Sequence, residues 1–161
     1  MRDSQQATAV REWAESLPAA IRSDTLWRME AYRLGLYVCD VAWEDVTTLC
    51  RDPRTKSLLD QLYRALGSIS ASIAEGYSRG GGRDRARFLE YALGCAREAR
   101  DWYVKARHVL GPDRVGAQVE VLTSGVRLLL VMTKDQRTVH LREPGAAYDV
   151  SPQLDSTGSH G

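Results

Sequence analysis

Cysteine and histidine are too scarce and too scattered in this sequence to build a site. Cys39, Cys50 and Cys95 are an odd number, far apart, with no CxxC pair, so neither a disulfide framework nor a zinc site follows. His108, His140 and His160 are isolated, and without Glu-x-x-His motifs on facing helices a di-iron bundle is excluded. No segment alternates apolar and polar residues with period two, which removes a sheet as the framework. No unbroken apolar run approaches the roughly 20 residues that cross a bilayer. Met1 is followed by polar residues rather than an apolar stretch with a small-residue cleavage site, so the reading predicts a cytoplasmic protein without a membrane partner. Gly80, Gly81 and Gly82 have neither a preceding strand nor a GKS or GKT ending, which argues against a phosphate-cradling loop. Ser68, Ser70 and Ser72 have no histidine in a helpful relation. The expectation is a protein that is not an enzyme, with no cofactor, no metal and no catalytic residue.

What is present is helical periodicity. The chain has 161 residues, 43% of them hydrophobic and 27% charged, the proportions of one ordinary globular domain. Residues 1–23 read as a polar lead-in with room for a short helix at Val10, Trp13, Ala14 and Leu17, interrupted by Pro18. A bundle spans 24–137, and 138–161 read as a largely disordered tail punctuated by Pro144, Gly145, Pro152, Gly158 and Gly161.

Within the bundle region four long helices are expected. The first, about 25–51, starts after the N-cap candidates Ser23, Asp24 and Thr25 and ends at Asp52-Pro53. It carries a heptad seam of Met29, Tyr32, Leu36, Cys39, Trp43, Val46 and Cys50. A second stripe, Trp27, Ala31, Leu34, Val38 and Val41, runs beside it. One stripe serves the core of its own subunit; the other needs something else to cover it, and self-association is the simplest answer. The second helix, about 55–77, has Leu59, Leu62, Leu66, Ile69 and Ile73 on one face and small residues elsewhere, including Ala65, Gly67, Ser70 and Ala74. The third, about 83–110, follows the glycine cluster with Leu89, Ala92, Ala96, Ala99, Tyr103, Ala106 and Leu110, flanked by Phe88, Cys95 and Trp102. Gly111 and Pro112 separate it from the fourth, about 112–136, with Val115, Val119, Leu122, Val126 and Leu129. Helices of this length span about 33–42 Å and with short connections predict an all-α, antiparallel up-down-up-down four-helix bundle.

The segment from Leu58 to Trp102 carries boxes that resemble a known family. Gln61-Leu62-Tyr63-Arg64-Ala65, then Ile73-Ala74-Glu75-Gly76, then Arg87-Phe88-Leu89 with Ala92-Leu93-Gly94 and Glu98, are similar to the pattern of the four-helix-bundle proteins encoded in intervening sequences of 23S ribosomal RNA genes. Those proteins are similar in turn to the accessory variability determinant of diversity-generating retroelements. Ser72 and Cys95 stand where the family usually has Asn and Ser, and a triple glycine replaces the usual polar turn. The resemblance implies a homopentameric ring and, for the retroelement branch, binding to a reverse transcriptase and its RNA. It implies no enzymatic activity.

Charge suggests where nucleic acid would sit. From Asp24 to Asp52 three basic residues face six acidic ones, whereas Arg54 to Arg107 holds eleven basic against six acidic. Arg79, Arg83, Arg85 and Arg87 flank one turn opposed by Asp84, and Arg54, Lys56 and Arg64 lie on the preceding helix. Guanidinium groups pair bidentately with phosphate oxygens, so these seven are the candidate nucleic-acid contacts; a solvated helix start, or a bridge to the acidic helix of a neighbouring subunit, explains them equally. Met29, Tyr32, Leu36, Cys39, Trp43 and Val46 are the candidate oligomer interface. Glu75 and Glu98 are expected to make structural hydrogen bonds or to pair with a buried arginine rather than to do acid-base chemistry. The leading expectation is an oligomeric accessory protein for RNA and a partner such as a reverse transcriptase. The alternative is a protein–protein scaffold that binds no nucleic acid.

Overall fold

The structure, a computed structural model, describes residues 2–142, with side chains from 6 to 137. It is helical and bundle-like, with no strand among the described residues. Six α-helices follow in order: α1 Arg2–Glu15, α2 Ala19–Arg22, α3 Glu30–Cys50, α4 Lys56–Tyr77, α5 Gly82–Leu110 and α6 Pro112–Arg142. The long helices α3 to α6 each pack on the next, and α6 also returns to α3.

The boundaries follow from local chemistry. Asp24 accepts a hydrogen bond from the Leu26 amide at 2.8 Å and caps a 3₁₀ turn, Thr25–Arg28, so α3 begins at Glu30 rather than at 25. Asp52 does the same for Pro53–Thr55 by accepting from the Arg54 amide at 3.0 Å. The Arg54 side chain also holds that carboxylate, first by hydrogen bonding, and lowers its pKa to about 2. Gly111 turns the chain between α5 and α6 with φ at +81°, a conformation that disfavours any residue with a Cβ, and Pro112 starts the next helix.

The seams of α4, α5 and α6 face inward as their spacing predicts. Leu62, Leu66, Ile69 and Ile73 are buried against Leu89, Ala92, Ala96, Ala99, Tyr103 and Ala106, and against Val115, Leu122, Val126 and Leu129. Small residues set the spacing of the helices. A Cβ on Gly35 would stand 3.0 Å from Ile69 and 3.2 Å from the backbone of Ser70, so α3 and α4 touch nearly backbone to backbone.

One expected boundary needs correction, and two other expectations gain detail. The short N-terminal helix expected around Val10, Trp13 and Ala14 is α1, Arg2–Glu15, which ends before Pro18 and packs on α3, with Trp13 against Tyr37 and Asp40. The helical region does not end at 137, since α6 continues through 138–142; residues 143–161 of the expected tail lie outside the described residues. Finally, α6 is long and apolar enough by composition to cross a membrane over Pro112–Arg137, with a third of its most apolar window buried. Glu120 and Arg127 interrupt that stretch, so it does not read as one apolar run. Leu122, Val126 and Leu129 occupy the core, whereas Leu130 and Val131 are exposed.

Candidate functional site

The apolar stripes of α3 divide, with Val46 of the heptad seam crossing to the buried side. Ala31, Leu34 and Val38 are buried, and the inward row continues through Ala42 and Leu49. The heptad seam lies to one side: Met29, Tyr32, Leu36 and Cys39 are half-buried, Val46 is buried, Cys50 is exposed, and Trp43 is 64% exposed. Trp43 meets the exposed Tyr63 of α4 edge to face, with ring centroids 6.3 Å apart. A groove of about 430 Å³ runs along this face, lined by Leu36, Cys39, Trp43 and Tyr63, and by Leu17 and Ile21 from the N-terminal segment. Burial, reinforced by Asp40, raises the Cys39 thiol above its ordinary pKa, which suits a packing residue rather than a nucleophile.

The arginines proposed as one basic set fall at two ends of the molecule. Arg54 and Lys56 stand at the start of α4, and Arg79 lies just past its end. Twenty-two residues of helix put about 33 Å between them, with the exposed Arg64 on the way. At the far end the turn holds its arginines in local contacts. Arg79 pairs with Glu75 at 2.6 Å and lies over the Phe88 ring. Arg85 donates to the Arg79 carbonyl at 2.9 Å, and Arg87 donates to the Tyr91 hydroxyl at 2.7 Å. That last hydrogen bond raises the Arg87 pKa. Arg54 is occupied by Asp52 at 2.6 Å. Among the described residues Arg83 is exposed and has no ion-pair partner.

Neither expected glutamate meets a buried arginine. Glu75 is paired at the surface with Arg79, and Glu98 accepts a hydrogen bond from the Trp102 indole at 3.1 Å. The buried acid is Asp45 of α3, 3% exposed. It accepts from the Tyr103 hydroxyl at 2.9 Å, from Arg114 Nε at 2.5 Å and from Gln118 Nε2 at 3.1 Å. Arg114 also donates to the Val41 carbonyl at 2.8 Å. Burial and the adjacent Asp45 charge push the Tyr103 hydroxyl well above its ordinary pKa. Burial alone would lower the pKa of Arg114, but the bond and charge of Asp45 outweigh it and the net shift is upward. The sequence carried one sign of this cluster: Asp45 falls between Ala42 and Leu49 on the inward row of α3. Among the described residues no group of three His, Cys, Asp or Glu side chains could hold a metal ion.

The family boxes have a mechanical reading. Ile73 and Leu89 are in the core, Gly76 is buried against Phe88, and the exposed Glu75 and Arg79 close over that junction. The sequence profile of the 23S rRNA-intervening sequence proteins matches residues 28–110, from just before α3 to the last residue of α5. The chain belongs to this family. No curated protein and no solved structure matches it. The family's matched span contains Asp45 and Tyr103, while Arg114 and Gln118, which complete their cluster, lie beyond it on α6.

Proposed function

We propose that the protein is a non-enzymatic accessory protein that assembles with itself and presents basic turns to RNA and to a partner protein, of the kind that serves a reverse transcriptase in a diversity-generating retroelement. In this reading α3 to α6 form an antiparallel up-down-up-down bundle, and copies close into a ring with five as the expected number. It works in the cytoplasm, without cofactor or metal. The observation that carries it is the open face of α3: an indole as large as Trp43, 64% exposed beside Tyr63 and continuous with a groove, is the kind of aromatic anchor that interfaces use. Repetition of the turn around a ring would raise avidity through effective concentration even where each site is weak. Family membership supports the nucleic-acid side of the reading.

A second reading is a scaffold that binds only protein. It draws support from the local engagement of Arg54, Arg79, Arg85 and Arg87, since a guanidinium already bound must give up a contact to take a phosphate. Light scattering combined with an RNA mobility shift across a salt series separates the two. Assembly with salt-dependent RNA retention supports the first reading; assembly without retention supports the second. A monodisperse single chain at micromolar concentration removes the self-assembly on which both rest.

A further inference from the structure

Between α1, α3 and α6 lies a second cavity, of about 670 Å³, within the range of small-molecule sites. Its walls are apolar: Val10 and Ala14 from α1, Trp27 and Leu34 from the α3 side, Leu128 and Val131 from α6. Its charged lining is lopsided, with Arg11, Arg33 and Arg127 against Glu30 alone. None of the three guanidiniums is in an ion pair among the described residues, and Arg33 uses one N–H on the Trp27 carbonyl at 2.7 Å. Arginine carries five donors, so all three keep donors for a ligand. Unpaired cations around an apolar hollow match a molecule that is greasy along its length and acidic at one end.

The walls can also admit such a molecule. Among the described residues no α1 side chain is buried, and Trp13 ties this wall to Trp27, Tyr37 and Asp40. At the α6 edge Val131, which lines the cavity, is 59% exposed, so the hollow opens to the outside there.

We propose that this cavity binds an anionic amphiphile, a single acidic head on an apolar chain, with the head at Arg11, Arg33 and Arg127 and the chain along Val10, Leu34 and Leu128. A free fatty acid and an acidic lipid in a bilayer share this chemistry. The site is independent of self-assembly and of RNA. The test is titration calorimetry of the full chain with dodecanoate held below its micelle concentration. Butanoate and dodecyltrimethylammonium serve as probes lacking the long chain or the negative head, and sedimentation with phosphatidylglycerol or phosphatidylcholine vesicles reports on bilayers. Saturable binding of dodecanoate with one ligand per chain places the source in solution, and binding confined to phosphatidylglycerol vesicles places it in a membrane. In either case the paired substitution Arg11→Gln with Arg127→Gln, both at exposed positions, should weaken binding at least about tenfold, the scale of one lost charge-assisted contact. Ala14→Phe, which fills the hollow without touching charge, should weaken it as well. Binding of neither dodecanoate nor phosphatidylglycerol overturns the proposal, as does equal affinity for the cationic amphiphile or unchanged affinity in both variants.

Discussion

A methyl group placed on Gly76 would stand 2.8 Å from Cβ of Phe88. That atom is fixed to the α5 backbone, so it cannot swing aside as the tip of a long side chain would. Gly76→Ala should therefore force α4 and α5 apart and cost about 1–3 kcal/mol. Gly94→Ala, which meets nothing within 4 Å, should instead gain about 0.5–1 kcal/mol by removing a flexible residue from a helix. Urea unfolding followed by circular dichroism reads both, and equal midpoints for the two variants would show that the close approach does not matter.

The Asp45 cluster predicts a large and asymmetric response. Asp45→Ala deprives Tyr103, Gln118 and the partly enclosed Arg114 of their acceptor and should cost about 2–3 kcal/mol. Tyr103→Phe removes a single donor and should cost about 1 kcal/mol. Similar losses for the two would mean that Asp45 does not serve all its donors at once.

The same tyrosine gives a pH dependence. Its folded pKa is raised above the ordinary value of 10.0 by burial and by Asp45, so the folded chain holds this proton more tightly than the unfolded one. The contribution is present in full below about pH 10 and is lost as pH rises above it. Denaturation midpoints collected from pH 8 to 11 should fall more steeply in the wild type than in Tyr103→Phe. Parallel curves would refute the assignment.

Self-assembly should depend on Trp43 and not on the fold. Trp43→Glu replaces an exposed indole, so stability should change by no more than about 0.5 kcal/mol, while light scattering should show a drop to smaller species. An unchanged mass would move the interface elsewhere.

For nucleic acid, the two ends of α4 should behave differently. Arg83→Glu, at an exposed residue outside any ion pair, should weaken RNA retention and reduce the slope of log affinity against log salt by about one. Arg54→Glu, just before the start of α4 and a helix length of about 33 Å from its other end, should leave both unchanged. Equal effects would indicate diffuse attraction rather than a turn-centred contact.

Much of this architecture was legible because apolar steps of three and four repeat without interruption. Leu62 to Ile73 and Leu89 to Ala106 are in the core where the spacing puts them. On α3 spacing alone was ambiguous, because two stripes both satisfy a helix; Gly35 and Ala42 resolve it by allowing close packing on the inward side. The local engagement of the basic set was illegible for a different reason. Residues near one another in a list need not share a helix end, and partners such as Asp52 and Tyr91, two and four positions away, are invisible to a charge count. The docking of α1 was hidden although Trp13 was on its expected helix, because its partners Asp40 and Tyr37 lie far along the chain.

Asp45 on α3 collects its donors from both α5 and α6, and this has a mechanical consequence. Sliding any of these helices by one turn, about 5.4 Å, would strand a charge in the interior, whereas leucines and alanines could re-mesh after the same slip. The cluster acts as a key that fixes the axial phase of three rods, and whatever the outer face of α3 meets will encounter Trp43 at one constant height.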